Sequence, residues 1–172
     1  MASIYLIGPM GAGKSTVGRA LAKKLDYDFY DSDREIEDRC GVDIPTIFDY
    51  EGEVGFRDRE SRVLEELTTL PDVVIATGGG SILRDENREY LKRGYVVLLS
   101  VDIKEQLRRV AHDTQRPLLQ GDNPEKKLHD LMKARGPIYA AAADVEIATD
   151  ARRMHYVVAR IMKHLRSKNI IQ

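Results

Sequence analysis

Short apolar runs alternate along this chain with stretches whose apolar residues recur every three or four positions. Segments 4–7, 28–31, 73–76, 95–99 and 145–148 read as strands. Helical spacing appears at Val17, Ala20, Leu21 and Leu25, at Val63, Leu64, Leu67 and Leu70, and at Leu107 and Val110. It returns at Leu128, Leu131 and Met132, and again at Val157, Val158, Ile161 and Leu165. Strands that alternate with helices predict an α/β fold, a parallel sheet covered by helices on both faces.

Two segments exceed what such a scaffold requires. Residues 32–72 lie between the second and third strands, more chain than one crossover helix needs. They divide into helices at 32–39, 45–50 and 57–70, and an insertion of this kind (about 32–71) predicts a substrate-binding region. The second segment, 111–123, is polar apart from Pro117-Leu118-Leu119 and carries Arg116, as a closing lid would.

Length and composition narrow the function classes. A chain of 172 residues suits a single domain spanning 1–172, and 42% hydrophobic with 32% charged residues is a soluble composition. A net charge of −1 gives no footprint for nucleic acid. The apolar runs are too short to span a bilayer, so no membrane partner is expected. Met1-Ala2-Ser3 leads straight into the first strand, which leaves no signal peptide and makes the cytoplasm the expected compartment. The single cysteine, Cys40, forms no internal disulfide and is expected to pack near a helix end. His112, His129, His155 and His164 lack ligand spacing and are expected at the surface. Without a long exposed apolar segment, a monomer is the expectation.

The chemistry begins at Gly8-Pro9-Met10-Gly11-Ala12-Gly13-Lys14-Ser15, a complete G-x-x-x-x-G-K-[ST] loop between a strand and a helix. Its backbone N–H groups, with those of Gly11, Ala12, Gly13, Lys14, Ser15 and Thr16, would surround a phosphate at the positive end of the helix. Lys14 would bridge the β- and γ-phosphates of ATP, and Ser15 would ligate Mg²⁺. Asp31 and Asp33 follow the second strand, where strand alternation sends both toward one side at the sheet edge that binds ligands. Asp31 or Ser32 also suits a helix cap, with Glu35 completing a capping box after Ser32. Most charges of Gly52–Glu60 read as a solvated helix face, except Phe56-Arg57, an aromatic wall beside a cation for a small anion. Gly78, Gly79 and Gly80 end the third strand and permit close approach to a ligand. No metal-binding aspartate stands there, which gives Asp31 more importance. Arg116 could reach the transferred phosphate. Arg135 could pair with a carboxylate, with Pro137 ending its helix. Arg109, Arg152 and Arg153 are weaker candidates.

Taken together, GPMGAGKST, FYDSD, GEVGFRDRE, ATGGGS, QRPLL and ARGPIYAAAAD closely resemble the shikimate kinase family over essentially the whole chain. The resemblance implies a three-layer P-loop kinase fold with a five-stranded parallel sheet, a helical substrate-binding region and a lid. It implies transfer of the ATP γ-phosphoryl group to the 3-hydroxyl of shikimate, with Mg²⁺. Lys14 and Ser15 would serve phosphate and metal, and Asp31 would hold Mg²⁺ through water. Asp33, Arg57, Gly79 and Arg135 would bind shikimate, the two arginines meeting its carboxylate, with Gly78 and Gly80 beside them. Arg116 would reach ATP phosphate, and Arg152 or Arg153 adenine. Asp33 either takes the hydroxyl proton or only orients the hydroxyl. Gluconate and nucleoside monophosphate kinases share the loop and lid but are matched less well. A guanine-selective switch would carry Asn-Lys-x-Asp, which this sequence lacks.

Overall fold

The computed structural model describes residues 1–111, 121–149 and 153–172, so Arg116, Arg152, His112 and most of the expected lid lie outside the described residues. Five parallel strands form the sheet: β1 (Ile4–Ile7), β2 (Asp28–Asp31), β3 (Val73–Ala76), β4 (Tyr95–Ser100) and β5 (Val145–Ala148). Their spatial order is β2-β3-β1-β4-β5, so β1 is central and the crossovers reverse direction beside it. Ile4 pairs with Val74 on one side and Tyr95 on the other. That reversal opens a crevice at the carboxyl ends of β1 and β3, where ligands of open parallel sheets bind.

Alternation along β1 divides the core. Ile4 and Leu6 face a cluster with Val17 and Leu21 of α1 (Lys14–Leu25) and Val157, Ile161 and Leu165 of α7 (Met154–Ser167). Tyr5 and Ile7 face the opposite cluster. Its helical members are Ile36 of α2 (Ser32–Cys40), Ile47, Phe56, Val63 and Leu67 of α3 (Ile44–Leu67), Leu91 of α4 (Asp85–Leu91) and Tyr139 of α6 (Pro124–Ala142). A third small cluster seats Met10 of the glycine loop against Val110 of α5 (Ile103–Val110) and Leu128 of α6.

Several expectations from the sequence need correction. The helices expected at 45–50 and 57–70 are both present, as the two parts of α3 that meet at a kink at Gly52, where φ is 68° and ψ −177°, but the second ends at Leu67 and not at Leu70. Leu70 lies beyond its end and is 36% exposed, so it does not extend the buried stripe. Helix α4 was not expected, because it has no repeated apolar face. Pro137 does not end α6: the helix runs through it to Ala142, so the proline costs one internal hydrogen bond without stopping the element. His164 is half-buried, with Tyr95 Oη 2.9 Å from its Nε2, whereas His129 and His155 are exposed. Cys40 closes α2, half-buried.

Candidate functional site

The glycine loop is held from behind. Lys14 Nζ donates to the carbonyls of Gly8 (2.6 Å) and Pro9 (2.9 Å). Gln106 Nε2 donates to Met10 O at 2.8 Å, Arg109 Nη1 to Gly11 O at 2.9 Å, and Thr149 Oγ1 to Ala12 O at 2.8 Å. The carbonyls of Met10, Gly11 and Ala12 thus have donors from other elements, whereas those of Gly8 and Pro9 take the ammonium of Lys14, which lines the cleft. Because a trans peptide sets C=O and N–H antiparallel, carbonyls drawn outward turn their N–H partners inward. Gly13 takes φ 90° as the N-cap of α1, and no side chain caps that helix. The positive end of α1 is therefore left for an anion.

Beside this cradle, the Ser15 hydroxyl donates to Asp31 Oδ2. The other oxygen, Asp31 Oδ1, accepts from the N–H groups of Asp33 (3.0 Å) and Arg34 (3.2 Å). Asp31 is thus both the cap of α2 and a wall of the cradle. The alternative of a Ser32 cap fails, because Ser32 is the first helical residue and its Oγ accepts from Gly78 N at 3.2 Å. Asp33 lies in the first turn of α2, so it reaches the site by helix geometry and not by the strand alternation expected for it. A cleft of about 690 Å³ joins Lys14, Ser15, Asp31, Asp33, Gly79 and Arg109.

The triple glycine serves a purpose other than unusual dihedrals, since none of Gly78, Gly79 and Gly80 has a left-handed φ. A Cβ on Gly80 would stand 2.3 Å from Arg57 Nη2, and one on Gly78 would stand 2.7 Å from Asp33 Oδ1. A Cβ on Gly79 would meet Arg135 Nη1 at 3.5 Å. Gly78 and Gly80 are thus bare so that Asp33 and Arg57 can press against them, whereas a Cβ on Gly79 would make only ordinary contact with Arg135. Both arginines are buried, Arg57 with its guanidinium 5.1 Å from the Phe56 ring centre.

Glu60, read from sequence as part of a solvated face, is fully buried. Its Oε1 accepts from Arg57 Nη1 at 2.9 Å, while Glu53 Oε1 takes a longer contact of 3.3 Å from Nη2. Burial pushes the Glu60 carboxyl above the usual range, against the opposing pull of Arg57, then Arg135 and Arg84. Glu60 falls on the α3 stripe with Phe56, Val63 and Leu67, and that spacing was the signal for it. Arg109, ranked low from sequence, also grips Thr149 O at 2.9 Å. It is held by Glu105, whose carboxyl is lowered to about 2 by hydrogen bonds from Arg108 and then Arg109. Nothing local in the sequence marked Gln106 or Thr149.

The arrangement sets an anion cradle and the Asp33 carboxylate in one cleft, beside a glycine turn on which the buried Arg57 and Arg135 guanidinium groups pack. Comparison with known proteins gives the family. The family model described as shikimate kinase matches residues 10–166. A curated shikimate kinase of Chromohalobacter salexigens is 53% identical over 162 residues, 94% of this chain and 90% of its own. One from Pseudomonas aeruginosa (strain LESB58) is 53% identical over 167 residues, 96% of this chain and 97% of its own. Among solved structures, a shikimate kinase from Acinetobacter baumannii in complex with shikimate superposes with a TM-score of 0.96 at 50% identity, covering 98% of this chain and 94% of that one. The Aquifex aeolicus shikimate kinase gives 0.85 at 36% identity, covering 98% of each.

Proposed function

Because the chain belongs to the shikimate kinase family, we propose that its cleft carries the transfer of the ATP γ-phosphoryl group to the 3-hydroxyl of shikimate, with the residues divided as follows. The product, shikimate 3-phosphate, belongs to the route to chorismate and the aromatic amino acids. The observation that carries this reading is the pairing of an uncapped helix terminus with two buried arginines across the bare turn at Gly78–Gly80.

ATP phosphates meet the N–H groups of Gly11, Ala12, Gly13, Lys14, Ser15 and Thr16 and the Lys14 ammonium. The Ser15 hydroxyl and the Asp31 carboxylate face each other as hard oxygen donors, a set that fits Mg²⁺ carrying waters and substrate phosphate, Asp31 acting through water. When bound, Mg²⁺ supplies charge neutralisation to the phosphates. Arg57 and Arg135 clamp the shikimate carboxylate, and the clamp fixes which ring hydroxyl faces the phosphate. Asp33, against Gly78, accepts from that hydroxyl, and the Gly78–Gly80 backbone adds donors. Arg116 on ATP phosphate and Arg152 at adenine remain assignments from the family pattern. We take the protein as a cytoplasmic monomer acting on small molecules, with its region 32–71 for shikimate and 111–123 as lid. Among the described residues no helix is long and apolar enough to cross a membrane.

The test is ADP formation by purified protein with Mg²⁺, ATP and a panel of shikimate, gluconate and nucleoside monophosphates. Turnover with shikimate alone is expected, and Lys14→Ala should lower it by about 10²–10³ with folding intact. Preferred turnover of gluconate or a nucleotide would overturn the reading.

A further inference from the structure

Tyr139 lies one helical turn beyond Arg135 on α6 and is buried, 2% exposed. Its hydroxyl donates to Gly79 O. A Cβ on Gly79 would stand 3.5 Å from Arg135 Nη1 and 3.7 Å from Tyr139 Oη, so both side chains close on the same glycine. The carbonyls around it are also engaged, Gly78 O by Ser81 N and Gly80 O by Leu83 N, each at 3.1 Å. Among the described residues, the N–H groups of Gly79 and Gly80 have no protein acceptor.

From this geometry we propose that Tyr139 is a positioning residue for the acceptor substrate, aiming the Gly79–Gly80 peptide so that its N–H faces shikimate. The inference rests on the assignment of Gly79, Gly80 and Arg135 to acceptor binding. A peptide is a rigid plane, so holding Gly79 O fixes the direction of Gly80 N–H. Holding is needed here because a peptide between two glycines rotates at little steric cost. Ser81 N performs the same service for the preceding peptide through Gly78 O, whereas the Gly79–Gly80 peptide depends on a side chain from a helix 60 residues away. The hydroxyl has a lone pair to spare for Arg135. The Tyr139 pKa is raised by burial, with Arg135 pulling it the other way, so the group donates as a neutral phenol at working pH.

Tyr139→Phe removes the donor and keeps the ring that packs in the core. Steady-state kinetics with shikimate and with ATP varied separately, together with a thermal melt, read the outcome. The expected result is a shikimate KM raised about 5- to 20-fold, an ATP KM within about 2-fold, and a Tm within a few degrees. An unchanged shikimate KM overturns the proposal, as does an equal rise in both KM values, which would mark a general structural role. Arg135→Ala, run in parallel, separates the two ideas. If it weakens shikimate and Tyr139→Phe does not, only the Tyr139 role fails. If neither weakens shikimate, the acceptor-site assignment fails with it.

Discussion

Gly80→Ala adds one methyl group and should act on the acceptor site through Arg57. The new Cβ would stand 2.3 Å from Nη2 and 2.6 Å from both Cζ and Nη1, more than 1 Å inside ordinary carbon–nitrogen contact. An exposed arginine would swing away at little cost. Arg57 is only 7% exposed, its guanidinium bonded to the buried Glu60 at 2.9 Å and stacked near Phe56, so it moves only by giving up those partners. Displacement removes one charge-assisted contact to the shikimate carboxylate, worth about 1.5–3 kcal/mol, or roughly a 10- to 150-fold rise in shikimate KM. Leaving Glu60 without its cation adds a stability loss of about 1–3 kcal/mol, some 2–12 °C of Tm for a chain of this size. The assay pairs shikimate-dependent and ATP-dependent initial rates with a melting curve. ATP affinity should hold, since the phosphate cradle lies on separate supports. A variant with normal shikimate KM and normal Tm would refute the reasoning, because it would show that Arg57 is not pinned.

Arg135→Ala should weaken shikimate by about 1.5–3 kcal/mol, and calorimetry with the carboxamide analogue of shikimate should show that loss largely masked. For Glu60→Gln, the sign follows from a folded-state pKa raised above the unfolded value near 4.3: the native carboxyl contributes stability below about pH 4.3 and loses it as pH rises. The Tm of the variant minus that of the native protein should therefore climb as pH increases from about 4, and a difference independent of pH would count against burial as the cause. Gly8→Ala combines φ 143° with a Cβ only 2.3 Å from Leu99 O, a backbone atom of the paired strand, and should cost at least about 2 kcal/mol, seen as a fall of 4 °C or more in Tm. Gln106→Leu deletes the donor to Met10 O and should raise the ATP KM about 5-fold while shikimate binding measured without ATP stays constant.

What could be read from the chain was whatever a short window encodes. The loop at Gly8–Ser15, the five strands and the buried face of α7 each rest on spacing within one element. Asp31, Asp33, Arg57 and Arg135 were singled out because each stands beside a local landmark: a strand end, an aromatic residue, a Gly-Pro pair. The supports were missed because their meaning is set across the fold. Gln106 and Arg109 act on carbonyls 96 and 98 residues away, and Thr149 acts 137 residues away. No periodicity records such a partnership. Glu60 was different: its place between Phe56 and Val63 on the α3 stripe was visible, but a run of charges around it invited the solvent-facing reading. Pro137 misled for a related reason. Proline disfavours a helix interior by about 3 kcal/mol, and packing of Tyr139 and Ile138 against the core outweighs that local cost.

The same physical device recurs at both ends of the cleft. A loop can point N–H groups at a ligand only if its carbonyls find donors elsewhere, because a buried C=O without one costs as much as the ligand contact gains. In the phosphate cradle the donors from other elements are Gln106, Arg109 and Thr149, and in the turn at Gly78–Gly80 the donors are Ser81 N, Tyr139 and Leu83 N. Helix α5 serves the first loop and α6 the second, and the two helices meet through Met10, Val110 and Leu128. Each loop therefore keeps its aim through a different helix while sharing one packed junction. Close packing at the turn explains why Gly78 and Gly80 are bare: a Cβ there would displace Asp33 and Arg57, groups that complete the site.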